Sequence, residues 1–70
     1  MKDRSVLTHR QRQVLKMLAE GKSIKEVAQR LKVSPKTVMT HKTNIMRKLN
    51  IHSMISLVHY AIRNGIAELQ

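Results

Sequence analysis

Seventy residues with 14 Lys and Arg against 4 Asp and Glu, a formal charge of +10 and a sequence pI near 11.1 describe one small domain whose partner is a polyanion. Cysteine is absent, which excludes disulfides and thiolate zinc sites. There is no run of about 18 apolar residues and no apolar N-terminal segment, so neither a membrane span nor a signal peptide is expected, and the cytoplasm is the expected compartment.

Tyr60 is the single aromatic residue, and modules that bind single strands usually stack bases on several such rings. Duplex DNA therefore ranks ahead of RNA. Met1 to Val6 is short, polar and charged, and reads as a flexible N-terminal segment or the end of a linker, with the domain over residues 7–70. Thr8 and Gln11 have the spacing of a capping box, which predicts a first helix over about 8–20. Its inward face is Val14, Leu15 and Leu18 with Gln11 alongside, while Arg10, Arg12 and Lys16 face water or phosphate. Gly21 ends it as a left-handed cap.

Ser23 and Glu26 form a second box, and Ile24, Val27, Ala28 and Leu31 recur at i, i+3, i+4 and i+7, giving a second helix over 23–31. Ala28 is small enough in that face to let the next helix cross close by. Ser34 as N-cap and Pro35 at the first helical position start a third helix over 34–49, and Val33 and Val38 are spaced as a hydrophobic staple. Val38, Ile45 and Leu49 make its inward stripe, with His41 at the edge. The opposite row, Lys36, Thr40, Thr43 and Arg47, with Met39 beside it, is polar or basic, and Lys42, Asn44 and Lys48 add to the flanks.

A helix of this kind suits base edges in front and phosphates at the sides; a plain solvated face is the alternative. A purely electrostatic binder needs cations but not Met39, Thr40 and Thr43, whose value lies in touching base edges and thymine methyls. Asn50 stands where the chain must turn left-handed, letting Ile51 fold back on Met46. Ser53 caps a fourth helix over 53–64, stopped by Gly65. Leu57, Ala61 and Val58 are its core candidates, and Met54, Ile55 and Ile62 are left over for a partner surface. The tail, Ile66 to Gln70, is left open between packing back and fraying.

The fold class is all-α, a four-helix bundle-like domain with a central helix-turn-helix. His9, His41, His52 and His59 lack the i, i+4 pairing and carboxylate company of a helical metal site. No phosphate loop, carboxylate pair or activated nucleophile is present, so neither a metal, a cofactor nor an enzyme is expected.

Laid out this way, the chain resembles the LuxR-type (GerE-like) helix-turn-helix domain from Leu7 to Ile66. The runs that carry the likeness are L-T-H-R-Q-R-Q-V-L (7 to 15), A-E-G-K-S-I-K-E-V-A (19 to 28), V-S-P-K-T-V-M-T-H (33 to 41), I-M-R-K-L (45 to 49) and the segment from Ser53. Two positions depart: Gln11 stands where the family usually carries an acidic residue, removing a salt link to the basic residues of the second or third helix, and Asn50 stands where it usually carries glycine.

The resemblance implies a sequence-specific transcription regulator, typically the C-terminal output half of a two-component response regulator or of a small-ligand sensor, and occasionally a domain that stands alone. It implies base contacts from Met39, Thr40 and Thr43, with Lys36 and Arg47 at the ends, and backbone contacts from Ser34, Thr37, Asn44 and Lys48. Two copies are expected to pair through Met54, Ile55, Val58 and Ile62 on an imperfect palindrome, with an upstream receiver or sensor domain and RNA polymerase as further candidate partners. The rival readings are a basic helical module for an acidic protein, and non-specific binding to RNA or an anionic surface.

Overall fold

The computed structural model describes residues 6–68, which form α1 (His9–Ala19), α2 (Ile24–Leu31), α3 (Pro35–Leu49) and α4 (Met54–Arg63). Each helix starts where a hydroxyl oxygen takes up a backbone N–H that has no helical partner. Thr8 Oγ1 accepts from Gln11 N at 3.0 Å, and Ser23, Ser34 and Ser53 Oγ accept from Glu26, Thr37 and Ser56 N at 3.1 Å each. The boxes on α1 and α2 are closed by Thr8 N donating to Gln11 Oε1 at 3.0 Å and Ser23 N donating to Glu26 Oε1 at 2.8 Å.

The helices stop by a shared device as well. Gly21, Lys32, Asn50 and Gly65 have φ of +96°, +58°, +55° and +72°. The N–H of the following residue returns to a carbonyl of the preceding helix: Lys22 to Met17, Val33 to Ala28, Ile51 to Met46 and Ile66 to Ala61, at 3.1, 3.0, 2.9 and 2.8 Å. Glycine and asparagine take up this conformation readily. Lys32 does not, because its β-carbon crowds the following carbonyl and it lacks the short amide that eases asparagine there.

The apolar faces meet in one core around α1, which packs against the other three helices, while α2 and α3 also pack on each other. Val14, Leu15, Val27, Val38, Ile45, Leu57 and Ala61 are fully buried. Ala28 is buried between larger side chains, and Val33 joins the same core as the staple position would require. Leu7 and Ala67, at 3% exposure each, close the core from its two chain ends. The tail thus packs back as far as Ala67. Of the segment expected to be flexible, residues 1–5 lie outside the described residues and only Val6 is seen, exposed; Leu69 and Gln70 also lie outside them.

Candidate nucleic-acid interface

The helical period divides α3 cleanly. Val38 and Ile45 are fully buried, with Leu49 and His41 half-buried at the rim, whereas Lys36, Met39, Thr40, Thr43 and Arg47 are exposed on the other side. The structure therefore brings the five base-facing candidates onto one solvent-facing row. Thr40 Oγ1 donates to the Lys36 carbonyl at 3.1 Å, which occupies its hydrogen and leaves the oxygen of this exposed side chain able to accept. Arg47 Nη1 donates to Asn44 Oδ1 at 3.4 Å, a long bond that leaves the guanidinium fork open to a ligand. Thr43 and Arg47 line a shallow groove with Met46, Asn50, Ile51 and His52.

The backbone-facing candidates fall into two places. Ser34 and Thr37 sit together at the start of α3, their hydroxyl oxygens 3.0 Å apart, with the Ser34 oxygen also taking the Thr37 N–H. Asn44 and Lys48 lie a turn apart near its end. Lys48 stays exposed, but its ammonium is anchored: it donates to the Val6 carbonyl at 3.1 Å and to Gln11 Oε1 at 3.0 Å. The tie from α1 to α3 thus exists with a neutral acceptor, at the position where the family pattern would place a carboxylate.

Charge is distributed in keeping with this division. α3 carries Lys36, Lys42, Arg47 and Lys48 and no carboxylate. Glu20, capping α1, is engaged by Lys16 at 2.6 Å and Lys22 at 3.8 Å. The hydrogen bond from Lys16 holds the Glu20 carboxyl below the ordinary carboxylate range, and the same bond raises the Lys16 ammonium. The Ser23 backbone N–H likewise lowers Glu26. The negative charge of α1 and α2 is spent locally, and the α3 face remains positive. Among the described residues no group of three or more His, Cys, Asp or Glu is placed to hold a metal ion, and no helix is long and apolar enough to cross a membrane.

On α4 the outcome differs from the sequence reading in two respects. Leu57 and Ala61 are fully buried, but Val58, expected in the core, is half-buried and stands outside it; Met54, expected at the surface, packs partly on the core. Met is unbranched enough to do both. Ile62 is half-buried and Ile55 is 71% exposed, and Met54, Ile55, Val58 and His59 outline a shallow apolar depression. Sequence reasoning missed the left-handed Lys32 in the turn before α3, and that Gln11, besides closing the capping box with Thr8, accepts from the Lys48 ammonium. Only the lack of a Gly or Asn between Leu31 and Ser34 hinted at the first.

A helix-turn-helix with a buried apolar stripe and an exposed hydroxyl and cationic row on its second helix defines a DNA-binding regulator domain. Comparison with known proteins agrees. The family described as "Bacterial regulatory proteins, luxR family" matches residues 5–61, and this chain belongs to that family, as a helix-turn-helix DNA-binding domain of a transcription regulator rather than an enzyme. It is 46% identical over 63 residues to the response regulatory protein YgeK of Escherichia coli (strain K12), covering 90% of this chain and 43% of that protein. It is 36% identical to the response regulator UvrY of the same organism over 91% of this chain and 29% of UvrY. The match to the virulence transcription regulator BvgA of Bordetella pertussis is 44% over 90% of this chain and 30% of BvgA. The chain thus spans less than half the length of these relatives. The solved structure of the transcription factor GerE superposes with a TM-score of 0.84 at 33% identity, covering 96% of this chain and all of that one.

Proposed function

We propose that α3 enters the major groove of duplex DNA, with Lys36, Met39, Thr40, Thr43 and Arg47 facing base edges and Ser34, Thr37, Asn44 and Lys48 meeting the backbone. The observation that carries this reading is the exposed row on α3, opposite fully buried Val38 and Ile45 and free of carboxylates. Hydroxyls and a thioether read base edges and thymine methyls, and the cations at the flanks neutralise phosphates. One 15-residue helix covers only a few base pairs, which gives little selectivity against a genome of competing sites.

Two copies paired through Ile55, Val58 and Ile62, with Met54 at the edge, would read an imperfect palindrome with about 10 base pairs between half-site centres. The exposure of Ile55 and the depression around it support that pairing. Because YgeK and UvrY are response regulators and extend well beyond this domain, we read it as the cytoplasmic output domain of a two-component regulator, coupled to a receiver and acting on RNA polymerase.

Selection of bound sequences from a random duplex pool tests the reading. Thr40→Ala or Thr43→Ala should change preference at one or two base pairs by about 1–3 kcal/mol. Equal losses on selected and random duplex would sink the base-reading assignment. Ile55→Asp should abolish cooperativity on the palindrome while leaving half-site affinity intact, and a wild type that binds the full site no better than two independent half-sites would end the pairing proposal.

A further inference from the structure

Gln11, at 7% exposure, is the buried polar side chain of the core, and nothing in the reading above assigns it to DNA. Its Oε1 accepts from Thr8 N at 3.0 Å and from Lys48 Nζ at 3.0 Å, and the Lys48 ammonium also donates to the Val6 carbonyl at 3.1 Å. Both acceptors of the ammonium are uncharged. A carboxylate in the place of Gln11 would hold Lys48 as well and cancel most of its field. An amide oxygen and a peptide carbonyl hold it and leave its charge whole. An ammonium has three donors; two are taken here, and the residue remains exposed, so one N–H and the full charge are left for a ligand. That charge lies on the row Thr37, Asn44, Lys48, at the flank of the exposed face of α3.

We propose that Gln11 is a positioning residue for DNA binding: together with the Val6 carbonyl it holds Lys48 as an ordered, uncompensated cation for a backbone phosphate. The inference rests on the reading of α3 as the duplex-facing helix. A solvated lysine surrenders rotamer freedom when it meets a phosphate, whereas one already held gives up little. Val6 directly precedes the buried Leu7, so its carbonyl is held close to the core that also holds Gln11.

The test compares wild type, Gln11→Glu, Gln11→Met, Lys48→Gln and the Gln11→Met/Lys48→Gln double variant by thermal melting and by duplex affinity over a salt series. Gln11→Glu should melt higher, because a carboxylate at the third position of α1 strengthens the capping box, suits the helix N-terminus and pairs with Lys48. It should nevertheless bind selected and random duplexes alike about five- to tenfold more weakly at 0.1 M salt, with the slope of log affinity against log salt reduced by about 0.9, the equivalent of one phosphate contact. Gln11→Met should lose affinity in the wild-type background and nothing further beside Lys48→Gln. The proposal is overturned if Gln11→Glu keeps the wild-type slope, or if the loss in Gln11→Met persists without Lys48. A wild type that binds no duplex at all would instead overturn the reading beneath it.

Discussion

Ile45 and Met39 are apolar residues of one helix on opposite faces, and truncating each to alanine separates packing from recognition. Ile45 is fully buried in the core, while Met39 is 48% exposed. Ile45→Ala removes three buried carbons, about 2.4 kcal/mol in transfer free energy. A cavity that the small core closes only in part brings the loss to about 3–4 kcal/mol, inside the range measured for such truncations. A domain of 70 residues holds about 3.5–10 kcal/mol in total, so this one change consumes a large share of it. At about 4–8 °C per kcal/mol for a domain of this size, Tm should fall by roughly 12–32 °C. Met39→Ala should cost under about 1 kcal/mol while altering duplex affinity. Circular dichroism melts of the two variants, with urea titrations to check that the m-value is unchanged, supply the comparison. If Ile45→Ala melted within a few degrees of Met39→Ala, the division of α3 into inner and outer faces would be wrong.

Three further outcomes are expected. Lys32→Gly should raise stability by about 0.5–1 kcal/mol, the relief of a left-handed β-carbon less the chain entropy of glycine, and an unchanged or lower Tm would refute strain at that turn. Acid should destabilise through Glu20 and Glu26. Because both carboxyls are lowered in the folded chain, the stability they add is present above the unfolded carboxylate pKa and is lost as pH falls through the folded one. Tm should therefore hold from neutral pH down to the carboxylate range and then drop, and Glu20→Gln/Glu26→Gln should flatten that drop. Lys16, raised by Glu20, has the opposite sign: its contribution persists below the unfolded lysine pKa and is lost only as strong alkali passes the folded value, which a melt series in that range would detect.

The helices and their starts were readable because each depends on residues within one turn of one another: Thr8 with Gln11, Ser23 with Glu26, Ser34 with Pro35, and Ser53 ahead of an apolar run. The inward faces were readable for a similar reason, since a period of 3.6 puts Val38 and Ile45 on one side whatever lies against them. Contacts between helices carry no such local mark. The bond from Lys48 to Gln11 crosses 37 positions, and nothing near either residue announces it. Lys32 was illegible because its left-handed backbone is imposed by the packing of α2 against α3, overriding its own preference. On α4 the apolar residues outnumber the positions that one small core can take, so the sequence could not settle that Met54 would turn inward and Val58 would stay at the edge.

α1 touches both α3 and α4, and its eleven residues make a rod about 16 Å long packed into a core with no slack. Under the two-fold arrangement proposed above, that rod is the spacer between the joint and the reading head on each side. The interval between the two heads is then a property of the fold, as fixed as the gauge of a calliper. A palindrome with one base pair added or removed would displace a half-site by about 3.4 Å along the axis and about 35° around it. Among the described residues α3 and α4 are joined through one shared core, so under that arrangement the mismatch falls on the DNA, which must twist to meet it.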